Sequence, residues 1–141
     1  VATEDPRSER DLQNRIKAAV AREGVRPVWS NDTGVAIAPS VLDYRIQAED
    51  VGKTVKQAVP AKQARRISFG LPGSPDIIGI LPPHGRFVGI EVKVPGNTQS
   101  DQQRNFGAVA TEQGALYIVA HSVDEAVAAI RSAEPLSGIR G

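Results

Sequence analysis

Leu12, Ile16, Ala19 and Val20 recur at the spacing of a helix and form a narrow apolar stripe. The pattern predicts a helix from Ser8 to about Arg22, with Ser8 as its N-cap and Asp11 completing a loose capping box. Glu9 and Asp11 fall in its first turn, where the helix dipole favours acids, and Gly24 is its stop. Residues 25–29 and 34–38 read as two short strands, and the turn formers Ser30-Asn31-Asp32-Thr33 between them predict a hairpin. Residues 39–64 carry the weakest pattern. There Leu42, Ile46, Val51, Val55 and Val59 fit one or two short helices, and residues 65–69 follow as a short extended piece.

The second half alternates more clearly. D-I-I-G-I-L at 76–81 is a short buried strand, Pro82-Pro83-His84-Gly85 is a turn, and R-F-V-G-I-E-V-K-V at 86–94 is its hairpin partner. Residues 100–113 predict a helix with Phe106, Val109 and Ala110 turned inward and Gly114 as the stop. A-L-Y-I-V-A at 115–120 is a third core strand, and Ser122 caps a last helix over 123–133. A helix between two strands allows a crossover to a parallel neighbour. The order therefore predicts an α/β fold, a mixed central sheet flanked by helices. One domain spans all 141 residues, with 39–64 as an insertion and 134–141 as a loose tail.

Composition narrows the chemistry. With 40% apolar residues the chain can fold around a core, and with no cysteine it offers no disulfide, zinc–thiolate site or thiol nucleophile. No apolar run nears the roughly 18 residues of a membrane span, and no secretory leader pattern opens the sequence. These features predict a cytoplasmic protein with no membrane partner. The net charge is only +1, yet residues 51–70 hold five basic side chains, among them Lys62, Arg65 and Arg66, and no acid. Such a stretch suits phosphate binding or is simply a solvated face. Trp29 reads as a core residue, with base stacking as its alternative, and His84 and His121 read as surface residues.

The chemically informative residues are Asp76, Glu91 and Lys93. Glu91 and Lys93 are two apart on one strand and share a face, with Val92 pointing the other way. Asp76 opens the partner strand, so the hairpin gathers two carboxylates and an ammonium among apolar neighbours. Charges there are costly unless they are paired or bind a metal. A salt bridge at a strand end is the plain alternative. Two carboxylates can hold Mg2+ with waters completing the shell, and a neighbouring lysine can orient water or offset developing charge.

The spacing from Asp76 through Glu91-Val92-Lys93 resembles the PD-(D/E)XK nuclease superfamily. More narrowly, R-I-S-F-G-L-P-G-S-P-D-I-I-G-I-L, G-R-F-V-G-I-E-V-K and S-D-Q-Q-R-N-F resemble its VRR-NUC family, especially short stand-alone phage and bacterial members. The resemblance covers residues 8–34 and 66–130; residues 39–64 match nothing in it. It implies a restriction-endonuclease-like core and a nuclease that uses Mg2+, with Mn2+ able to substitute. Asp76 and Glu91 match metal ligands, the Val92 carbonyl would be a further one, and Lys93 matches the motif lysine. Glu9 matches an acid placed near the metal, and Gln13 and Gln103 match glutamines common in the family, which implies supporting roles at the site or the scissile phosphate, Gln103 in catalysis and Gln13 in DNA binding. Each also has a plainer reading, Glu9 as a helix-dipole residue and the glutamines as solvated helix positions. Ser74 and the basic stretch are candidate contacts to the DNA backbone.

The expected function is a DNA endonuclease selective for junctions, flaps or nicks in phage or repair DNA metabolism. The alternatives are a non-cleaving DNA-binding module and a small restriction-type enzyme. A homodimer with paired sites is expected, with 39–64 as its contact or as a DNA clamp.

Overall fold

A computed structural model describes residues 6–32, 34–39, 52 and 64–133. The chain forms two compact units, one of residues Val1–Asp32 and Leu71–Gly141, the other of Thr33–Gly70. In the first unit the order is α1 (Pro6–Arg22), β1 (Val28–Ser30), β4 (Ile77–Leu81), β5 (Arg86–Val92), α2 (Asp101–Glu112), β6 (Leu116–Ala120) and α3 (Val123–Arg131). The second unit contains β2 (Gly34–Pro39) and β3 (Ala64–Phe69), paired antiparallel from Gly34↔Phe69 to Pro39↔Ala64. The helices expected around Leu42 to Val59, and Lys62, lie outside the described residues.

The first unit holds one four-stranded sheet in the order β1-β4-β5-β6. β1 and β4, and β4 and β5, run antiparallel; β5 and β6 run parallel, joined through α2 as the crossover predicts. This mixed sheet with three helices is the α/β arrangement expected of a nuclease-like core. Alternation separates its two faces. Ile77 of β4, Val88, Ile90 and Val92 of β5, and Ile118 and Ala120 of β6 join Leu12, Ile16 and Val20 of α1 and Ala126 and Ile130 of α3 in one buried cluster. Glu91 and Tyr117 therefore project from the opposite face, where α2 lies against β6.

Several boundaries differ from the sequence pattern. Helix α1 begins at Pro6, so Ser8 is inside it rather than capping it, and Asp11 pairs with Arg15 one turn on at 3.0 Å. Proline suits a first turn because its missing N–H has no intrahelical partner there. The predicted hairpin of β1 with β2 does not form. β1 adds to β4 instead, extended by the bonds from Arg26 N to Ile80 O, Ile80 N to Pro27 O and Asn31 N to Asp76 O. Val109, predicted inward, is 51% exposed; α2 buries Gly107 instead, where a Cβ would meet the Tyr117 ring. Trp29, read as core, is 44% exposed. Ser100 caps α2 in a full capping box with Gln103, and Ser122 caps α3. No helix among the described residues is long and apolar enough to cross a membrane.

Candidate active site

The β4–β5 register explains why two acids meet. Ile77 pairs with Ile90, so Asp76, one residue before, falls opposite Glu91, one residue after. Asp76 Oδ2 accepts from Val92 N at 2.8 Å, which fixes its carboxyl at the end of the ladder. Glu91 is 1% exposed and is the one buried charged side chain among the described residues.

Three further groups arrange Glu91. Gln103 Nε2 donates to its Oε1 at 2.6 Å, and Lys93 Nζ lies 3.4 Å from the same oxygen. The Gln103 amide has a defined orientation, because its Oε1 accepts from Ser100 N at 2.8 Å in the capping box. Its NH2 must then face Glu91, so the cap that starts α2 also aims a donor into the site. Tyr117 supports this placement: its hydroxyl donates to Gln103 O at 3.4 Å and accepts from Gln99 Nε2 at 3.0 Å. Burial and the nearby Glu91 carboxyl push the Tyr117 hydroxyl up to about 12, which keeps it a neutral donor.

Glu91 Oε2, in contrast, is buried with no hydrogen-bond partner. A bare carboxylate oxygen in that position is costly. Burial, and then repulsion from Asp76, pushes Glu91 up to about 7, against the opposing pull of Lys93. Burial raises Asp76 as well, opposed by its bond from Val92 N and by Lys93. Two hard oxygen donors whose ionised forms are held together at a cost fit a divalent cation, which would relieve both terms. Mg2+ commonly takes one or two carboxylates and keeps several waters, so this donor set suffices.

Not every expected residue joins this cluster. Among the described residues no three His, Cys, Asp or Glu side chains gather closely enough to hold a metal. Glu9 instead accepts from Gln13 Nε2 at 3.4 Å along α1. That helix packs on the face of Ile90 and Val92, the reverse of the face that carries Glu91. Ser74 Oγ accepts from Asn31 Nδ2 at 2.9 Å, and Arg65 and Arg66 fall on β3 of the second unit.

Asn31 is the residue that the sequence pattern hid. It reads as a turn former, but its Nδ2 donates to Ser74 Oγ and to Pro75 O, both at 2.9 Å, and its N donates to Asp76 O at 2.7 Å. These bonds tie the segment feeding Asp76 to the end of β1. Pro75 is fully buried over Gly89, where an added Cβ would lie 2.7 Å from the proline ring. Gly73, at φ +83°, passes so close to the Gln102 carbonyl that a side chain would overlap it. Asn31→Ala removes two of these bonds and leaves the half-buried Ser74 hydroxyl and Pro75 carbonyl without them. It is expected to lower unfolding free energy by about 1–3 kcal/mol, read by urea denaturation.

The mixed sheet thus carries paired carboxylates and a lysine on the face against which α2 lies. Residues 29–124 match the VRR-NUC domain family, and the chain belongs to that family. DNA is the substrate that membership implies. No match is found among curated proteins or among solved structures.

Proposed function

We propose that the protein is a divalent-metal-dependent endonuclease that hydrolyses phosphodiester bonds in structured DNA. The observation that carries this is the buried, partnerless Glu91 Oε2 set opposite Asp76. Asp76 and Glu91 would hold the metal, with the Val92 carbonyl as a candidate third donor. Bound there, Mg2+ or Mn2+ would supply Lewis-acid activation of water and of the phosphate.

The chain's own groups do the rest. Lys93 Nζ, beside Glu91 and 17% exposed, can donate to a phosphate oxygen or orient the attacking water. Gln103 Nε2 and Lys93 occupy Glu91 Oε1 and so present Oε2 to the cation side. The Val92 N–H holds Asp76 in line with Glu91. In the reaction the water gives up a proton as its oxygen bonds to phosphorus, the bond to the leaving oxygen breaks, and that oxygen takes up a proton.

The test is cleavage of labelled single-stranded, duplex, flap and four-way-junction DNA with Mg2+, Mn2+ or EDTA, beside Asp76→Ala. Metal-dependent cutting by the unaltered protein alone is expected, and branched DNA should be cut fastest. Binding without cutting on every DNA would replace this reading with that of a non-cleaving DNA-binding module.

A further inference from the structure

We propose that Trp29 is a stacking platform for an unpaired base of the strand being cut. This rests on the nuclease reading and adds to it a substrate class: DNA with unpaired nucleotides beside the scissile phosphate.

Register places Trp29 at the site. It pairs with Ile78, which pairs with Gly89 across the sheet. Directly opposite residues share a face, so Trp29 and Ile78 project together, and Asp76 and Glu91, two positions along from Ile78 and from Gly89, project from that same face. Its neighbours point the other way: Val28 packs on the core, and Ser30 Oγ accepts from Lys17 Nζ of α1 at 2.7 Å. Trp29 and Asp76 are thus diagonal cross-strand neighbours, a relation that spans roughly 7–8 Å. A base stacked on the indole would place a phosphate of the same nucleotide, or the next, at the carboxylates.

Exposure is the second observation. Trp29 is 44% exposed on the edge strand, although tryptophan is among the more buried residue types on average. Leu71, 62% exposed, lies in the turn that leads into Asp76. Large apolar side chains left open beside a nuclease centre suit bases, whose faces are apolar, with phosphates directed to Lys93. A base inside a duplex already has both faces covered, so only an unpaired or extruded one can use the indole.

Trp29 is the only tryptophan in the chain, so its fluorescence reports this contact alone. Asp76→Asn protein, which should bind without cutting, is titrated with a blunt duplex and with the same duplex carrying a thymidine tail. Strong quenching by the tailed DNA and little by the blunt one is expected. Trp29→Ala should bind labelled tailed DNA about 5- to 100-fold more weakly with blunt-duplex binding unchanged, and Trp29→Phe should retain most of the affinity. Equal quenching by both DNAs, or unaltered tail binding by folded Trp29→Ala, overturns the proposal. Should Trp29→Ala fail to fold, the quenching and Trp29→Phe decide it. Cutting by Trp29→Ala with unchanged preference for tailed DNA would sink the stacking role and leave the nuclease reading standing. Quenching without any cutting by the unaltered protein would do the reverse.

Discussion

In EDTA at pH 8, Glu91→Gln is expected to unfold at a higher temperature than the unaltered protein, and to cut no DNA when Mg2+ is restored. The stability gain follows from the raised pKa of Glu91. An unfolded glutamate titrates near 4.5, and burial with Asp76 alongside moves the folded group up to about 7. Below pH 4.5 the carboxyl is protonated in both states and contributes nothing. Between the two values the folded state must keep a proton that the unfolded state has released, so stability falls as pH rises. Above pH 7 the full penalty is present, on the order of 3 kcal/mol. Glutamine removes the ionisation and keeps an oxygen for Gln103 and Lys93, so its advantage should open between pH 4.5 and 7 and then level off. The activity loss has the opposite sign because the same charge is what a cation needs. At least about a 10^3-fold fall is expected from losing one of two metal-holding carboxylates. Thermal scans across pH, paired with cleavage assays, separate the two effects. A variant no more stable than wild type at pH 8 would show that Glu91 carries no buried-charge penalty.

The same penalty makes the candidate site legible in the sequence. Glu91 and Lys93 interrupt an otherwise apolar strand, and the turn at 82–85 sets a register that carries Asp76 to Glu91. The parallel β5–β6 pair was equally readable, because a helix between two apolar strands leaves few other connections. The pairing of β1 was not. Three residues cannot display a period, and the partner strand lies beyond the whole second unit. Asn31 is hidden for a related reason: the residue types that make turns also bond backbone groups at a distance, and only the fold shows which they do. Trp29 and Val109 followed the rule that large apolar residues are inside, a rule that fails on an edge strand and on the outer side of α2. Glu9 lies in the first turn of α1, whose apolar stripe packs on the reverse face of the sheet from Glu91, and its carboxylate accepts from Gln13 Nε2.

Lys93→Met is the second large effect, and it separates two roles for one ammonium. Lys93 lies 3.4 Å from Glu91 Oε1 and pulls the Glu91 pKa down. Removing it should leave Glu91 more protonated at neutral pH and weaken metal binding there. If this were its whole contribution, raising the pH to 9 would ionise Glu91 and restore the rate. If Lys93 also donates to the phosphate or to the attacking water, the deficit persists at pH 9 with saturating Mg2+. A persistent loss of about 10^2- to 10^3-fold in kcat with little change in KM is expected, the size associated with removing one donor aimed at transition-state charge. Lys93→Arg should recover only part of it, because a planar guanidinium cannot occupy the place of a compact ammonium beside a buried carboxylate. Full recovery of Lys93→Met at high pH would confine Lys93 to holding Glu91 ionised, and another side chain would then have to donate to the phosphate.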